Sequence, residues 1–340
     1  MRKQHRIQDP DVIDENVISR LLDENKEVIV QFSSEVYNSH ILSKLNELTG
    51  KYDENLTIRF YGHYSSSFDC SIVDQIPEVK SLSIDCLRQA HNLESITYLK
   101  NLKKLGIGVF ELKETDILSA KNFQNLNRLY ILDTKTKALN LDYLSSYKNL
   151  DYLIVAGHTK NIEAIGSLKR LEHLNLNGIS KVPLSFVNEL PVLHTLNIIL
   201  GGRDNINEIE GNNIENLNLT WIRGLNDLEN INRFHKLKTL LIQDHIRLPK
   251  IHFGKEFTNL TDIKVLNCKT LGSLTGIENL PELHQLRVYR TDIDFEKFIQ
   301  QPLPLKLKIL AFYTAKNKVD AQLKSRLKEL GYIDGLDRNS

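Results

Sequence analysis

Residues 168–179 read LKRLEHLNLNGI, with leucine at 168, 171, 174 and 176. The spacing is three, three, then two. A helix repeats its apolar face near every 3.6 residues and a strand every 2, so neither element alone explains it. The pattern LxxLxL, with Ile, Val or Phe admitted at the apolar sites, recurs as VKSLSI (79–84), LKKLGI (102–107), LNRLYI (126–131), LDYLIV (150–155) and LEHLNL (171–176). It continues as LHTLNI (193–198), IENLNL (214–219), LKTLLI (237–242), LTDIKV (260–265), LHQLRV (283–288) and LKILAF (307–312). A degenerate earlier copy, NLTIRF, keeps Ile58 and Phe60 in register. The twelve copies stand 21 to 24 residues apart. That self-similarity is the signature of a solenoid, in which each unit buries its apolar face only against its neighbours.

The change of rhythm follows. The LxL pair is a short strand with both apolar side chains on one face. The steps of three, as in Ile162, Ile165, Leu168 and Leu171, or Ile277, Leu280, Leu283 and Leu286, belong to a 3₁₀-like or short helical return. Parallel strands stack about 4.8 Å apart, so twelve span roughly 50 Å, with right-handed connections. Terminal units need caps. Residues 14–24 and 38–48 read as amphipathic helices, the second with Asn38 or Ser39 as N-cap, and residues 28–32 as one more strand. Val319, Leu323, Leu327 and Leu330 share one face of a final helix that stops at Gly331. The organisation is an N-terminal α/β cap over 1–54, repeats over 55–315, and a C-terminal helical cap and tail over 316–340.

The LxxLxL core and its period resemble the leucine-rich repeat family over roughly residues 55–315, and the ladder of threes resembles the internalin-like type of bacterial repeat. The resemblance implies an α/β solenoid, a right-handed horseshoe with a concave parallel β-sheet and helical caps. One feature departs from the family pattern. Where the family carries Asn or Cys, five residues after the second apolar site, this chain has His63, Leu87, Phe110, Thr134, His158, Ile179, Gly201, Ile222, His245, Cys268, Thr291 and Ala315. Only Cys268 fits, so the turns after the strands are expected to be looser.

Charge and composition narrow the function. Forty-four Lys+Arg against 43 Asp+Glu leave a net charge of +1, which speaks against nucleic acid or an anionic membrane as partner. No apolar run approaches the roughly 18 residues of a membrane span, and the first residues lack the apolar core of a signal peptide; a cytoplasmic chain is expected. Cys70, Cys86 and Cys268 show no metal-ligand spacing, and the eleven histidines form no HxxxH pair and no Cys/His cluster. The equivalent His63, His158 and His245 are four repeats apart, roughly 19 Å between neighbours, too far for a shared metal. The glycine pair at 106–108 lacks the context of a phosphate loop. No metal, cofactor, small-molecule substrate or catalytic residue is therefore expected, and no cysteine follows Cys268 to serve as in the ubiquitin-ligase domains of some similar bacterial proteins.

The residues flanking each LxL pair are expected to face outward from the concave sheet. Tyr and Arg, enriched at binding hot spots, gather in two places: Arg128, Tyr130, Tyr152 and Ile154, and Lys264, Arg287, Tyr289 and Tyr313. Arg59 and Tyr61 lie on an earlier strand; an amide-rich belt of Asn175, Asn177, Asn197, Asn216 and Asn218 lies between the clusters, with His173 also outward beside it; Trp221, the only tryptophan, falls just past a strand at the rim. The expected function is non-enzymatic binding of another protein on this face. An immunity-type inhibitor of a toxin, an effector delivered into host cells, and a passive scaffold using the convex side are the alternatives.

Overall fold

The computed structural model describes residues 3–63, 67–211 and 213–335. The chain forms two compact units, 1–171 and 172–340. Among the described residues no helix is long and apolar enough to cross a membrane.

In the first unit, β1 (Gln4–Gln8), β2 (Glu27–Phe32), β3 (Leu56–Tyr61), β4 (Ser81–Leu87), β5 (Lys104–Val109), β6 (Arg128–Ile131) and β7 (Tyr152–Ala156) pair in parallel in that order. The register joins Val30, Ile58, Leu82, Leu105, Leu129 and Leu153, one per strand and each fully buried. The second apolar site of every repeat therefore stacks on that of the next, as the spacing predicts. Helix α1 (Glu15–Asp23) starts where the Asp14 carboxylate accepts from the Asn16 and Val17 amides. Helix α2 (Ser39–Lys51) starts where the Asn38 side chain accepts from Ile41 N–H. Ile41, Leu42, Leu45 and Leu48 bury one stripe of α2. The returns are 3₁₀ turns, among them Leu93–Tyr98, Leu141–Ser146 and Ile162–Ser167. The ladder Ile162, Ile165, Leu168, Leu171 is buried throughout. Strand β1 lacks any apolar alternation in sequence; its backbone adds to β2 from Gln4 opposite Glu27 to Gln8 opposite Gln31.

The second unit repeats the plan with β8 (His173–Asn177), β9 (Thr195–Ile199), β10 (Asn216–Thr220), β11 (Thr239–Gln243), β12 (Asp262–Leu266), β13 (Gln285–Tyr289) and β14 (Ile309–Tyr313). Leu174, Leu196, Leu217, Leu240, Ile263, Leu286 and Leu310 are in register. One return is a true α-helix, α3 (Phe295–Gln300), capped by Asp294 accepting from Lys297 N–H. The last helix, α4 (Asn317–Glu329), is less amphipathic than its sequence suggests: Leu327 is buried, but Val319 and Leu330 are exposed. The chain reverses at Gly331, with φ +90°, and Ile333 then bridges to Ile309 on the open edge of β14.

The turns after the strands are not loose, and this corrects the expectation drawn from the missing asparagines. His63, Thr134, His158, His245 and Cys268 are all buried at the asparagine position. His158 Nε2–H donates to Leu132 O at 3.2 Å while its Nδ1 accepts from Leu139 N–H at 3.3 Å. His245 Nε2–H donates to Leu219 O at 3.0 Å. A neutral imidazole offers one donor and one acceptor, so His158 ties neighbouring turns together through both ring nitrogens, and His245 through Nε2. One residue earlier in the turn, the backbone is left-handed at Gly157, Gly178, Leu200, Trp221, Asp244, Asn267 and Arg290.

Candidate functional site

On the first unit, the outward side chains are largely spent on one another. The Arg59 guanidinium grips Asp85, with Nε 3.0 Å from both carboxylate oxygens, and its Nη1 donates to Gln31 Oε1 at 3.0 Å. It also lies 4.3 Å from the centre of the Tyr61 ring, and Tyr61 OH donates to Gln8 Oε1 at 2.7 Å. Lys104 and Glu27 form an ion pair, both buried, and Thr57 and Ser81 hydroxyls are 2.8 Å apart. Burial alone would raise the Glu27 carboxyl; the hydrogen bond and charge of Lys104 outweigh it and hold the group below the usual carboxylate range. The Tyr130 and Tyr152 rings pack at a tilt of 38° with centroids 5.4 Å apart, and burial pushes both phenols up. Arg128 reaches Glu54 at 3.6 Å, and Ile154 is half-buried beside this cluster on β7. Outward positions Thr57, Ser81, Asp85 and Lys104 are thus interior, contrary to expectation, because charges on β2 to β5 find partners across the strands.

On the second unit the sheet face stays accessible. His173, Asn175, Asn197, Asn218, Lys264, Arg287 and Tyr289 are half-exposed on consecutive strands. Asn197, Asn216, Asn218, Thr239, Leu241, Asp262 and Lys264 line a shallow depression of about 360 Å³. The Asn175 Oδ1 is buried without a hydrogen-bond partner among the described residues. Lys264 makes no ion pair among them. Tyr313 differs: its hydroxyl donates to Asp334 Oδ2 at 2.6 Å, and Asp334 also pairs with Lys324 at 2.8 Å. Gly335 runs so close to Ile309 and Arg287 that a Cβ there would sit 2.8 Å from one and 3.1 Å from the other. The C-terminal segment thus packs against the β14 end of the face and engages the hydroxyl of Tyr313, which stays half-exposed.

Two apolar residues stand on the rim just past β9 and β10. Leu200 and Trp221 occupy the left-handed turn position with φ +61° and +51°, and Trp221 is 63% exposed. Gly62, Gly157 and Gly178 hold this position in some other repeats, and Cys86, Asp244, Asn267 and Arg290 in others; a bulky side chain in that region is strained. Only the rim position of Trp221 is legible in sequence.

A further grouping escapes the sequence search for close histidine spacing. Glu172 and His194 hold the same repeat position, immediately before β8 and β9, and His173 follows Glu172. One ligating atom from each of the three lies within 4.8 Å of the others. The equal repeat positions of Glu172 and His194 are the signal that could have found it.

No family model matches the sequence, and no curated protein matches it. Among solved structures, an internalin, InlF, from Listeria monocytogenes is similar at 17% identity and a TM-score of 0.49, over 84% of this chain and 86% of that one. The functional domain of InlJ from the same species, with its cysteine ladder, gives 13% identity and a TM-score of 0.45 over 85% and 68%. A leucine-rich repeat protein of Leptospira interrogans gives 16% and 0.37 over 81% and 89%. The chain's own in-register LxL strands, 3₁₀ returns and ladder of threes give it the leucine-rich repeat fold.

Proposed function

We propose that the chain is a protein-binding module whose partner surface is the sheet face and adjoining rim of residues 172–340, the face expected to be concave. The observation that carries this reading is Trp221, held exposed in a backbone conformation that disfavours it, beside a half-exposed face that includes Asn197, Asn218 and Lys264. Strain kept at an exposed aromatic points to a use outside the fold, and tryptophan leads the residue types that dominate binding energy. Arg59 and Tyr61 act as internal ties in this reading, and Arg128, Tyr130, Tyr152 and Ile154 contribute less than Asn197, Asn218, Lys264, Arg287 and Tyr289.

The test is a capture experiment from native lysate with three folded baits: the wild type, a second-unit variant (Trp221→Gly, Lys264→Ala, Arg287→Ala) and a first-unit variant (Arg128→Ala, Tyr152→Ala). A protein retained by the wild type and the first-unit variant but lost by the second-unit variant supports the assignment. Equal retention by all three moves the partner surface to the returns or the caps.

A further inference from the structure

The Glu172, His173 and His194 grouping supplies two imidazoles and a carboxylate on adjacent repeats of the second unit. His194 N–H donates to Glu172 O at 3.1 Å, so the backbone ladder fixes the spacing of the two residues. The His173 and His194 rings meet edge to face with centroids 4.5 Å apart at 82°. His194 Nε2 lies 3.5 Å from Glu172 Oε2. Two donors of a tetrahedral zinc site, each about 2.0–2.2 Å from the ion, stand roughly 3.4 Å apart.

The second shell favours a metal at that point. Thr195 Oγ1 lies 3.1 Å from His194 Nδ1 and also accepts from Asn216 Nδ2 at 3.3 Å. In the tautomer whose Nδ1–H donates to Thr195, the Nε2 lone pair is directed to the Glu172 carboxylate and is free to take a cation shared with it. A threonine hydroxyl that orients a ligating imidazole is the kind of outer partner metal sites use. Glu215, the next residue in the same repeat position, is bound to Lys238 at 2.8 Å and is not available as a ligand. The side chains of Glu172 and His194 are 52% and 35% exposed, which leaves room for them to close and for an ion to enter.

We infer that Glu172, His173 and His194 bind one zinc ion, with the fourth position open to solvent. The donor set of two imidazoles and one carboxylate suits this borderline ion better than calcium or magnesium, which demand all-oxygen shells. The inference does not rest on the proposed protein-binding role, and its test needs no partner.

Zinc is titrated calorimetrically into the purified, untagged chain, and cobalt is used in parallel as an optical reporter of coordination. The expected result is one zinc per chain and a four-coordinate cobalt spectrum. His173→Gln with His194→Gln should abolish both. Glu172→Gln, at an exposed position that the fold does not need, should weaken zinc by about tenfold or more. His235→Gln with His252→Gln, exposed histidines on other repeats, should change nothing. At one zinc concentration, the melting temperature of the wild type should rise by more than that of Glu172→Gln, which keeps the test decisive if the double histidine variant folds poorly. Absence of zinc binding, or binding that survives in Glu172→Gln and the double histidine variant alike, overturns the inference.

Discussion

Arg59 and Asp85, on neighbouring strands of the first unit, form a two-pronged ion pair with the guanidinium Nε 3.0 Å from each carboxylate oxygen. Their side chains are 17% and 11% exposed. Removing one partner strands the other charge in a partly desolvated site, which costs more than the pair itself contributes. Asp85→Asn should lower stability by about 2–3 kcal/mol. Arg59→Met with Asp85→Leu should recover most of that loss, since an apolar pair of similar volume replaces both charges. Denaturant unfolding of the two variants checks this. A double variant no better than the single would mean that the surrounding Gln31 and Tyr61 contacts, not the charge pair, set the local stability.

Buried His158 and His245 should make the fold acid-sensitive in a defined window. Burial, partly offset by hydrogen bonds to backbone carbonyls, holds both below the ordinary histidine value. The unfolded chain therefore takes up protons at higher pH than the folded one. The stability each histidine contributes is whole above about pH 6.5 and is lost as the pH falls from there towards the depressed folded value. Asp69, held at about 2 by the Ser71 amide and Asn92, titrates well below that window. His158→Asn with His245→Asn should keep the turn hydrogen bonds and flatten the decline in melting temperature between about pH 7 and 5. Parallel declines in wild type and variant would show that other groups govern acid unfolding.

The three cysteines should separate cleanly by reactivity. Cys70 and Cys268 are buried, and burial pushes their thiols up, that of Cys268 to about 11. Cys86 is exposed, although partial burial and the neighbouring Asp85 also raise its thiol. A thiol-specific chromogenic reagent should label Cys86 alone and slowly in the native protein, and all three cysteines in denaturant. Rapid labelling of Cys268 without denaturant would mean that its turn opens readily.

The strands were legible because burial demands are strict. Leu82, Leu105 and Leu129 each need an apolar neighbour above and below, so a 21–24-residue period sets the register without further information. Helix α2 was legible from Asn38 and its apolar stripe. Strand β1 was not, because QHRIQ carries no buried face and joins the sheet through its backbone. The closure of the first-unit face was illegible for a related reason. Glu27 and Lys104 stand 77 residues apart, and nothing local to either says that they meet. Trp221 was legible as a rim residue but not as a strained one, since its left-handed backbone follows from the turn geometry shared by the repeats.

That strain gives a prediction separating stability from recognition at one residue. Trp221 holds φ +51° with 63% of its surface exposed, so little packing is lost when it is removed. A left-handed conformation costs an L-residue about 1–2 kcal/mol that glycine escapes, while glycine's freer unfolded chain takes back roughly 1 kcal/mol. Trp221→Gly should therefore leave stability unchanged or raise it by up to about 1 kcal/mol, measured by denaturant unfolding. Trp221→Ala retains the strain and should fall below it. If the side chain is kept for binding, the same Trp221→Gly protein should lose partner affinity by tenfold or more, about 1.4 kcal/mol. A marked loss of stability with unchanged affinity would instead make Trp221 a packing residue of the turn, and the rim would drop out of the partner surface.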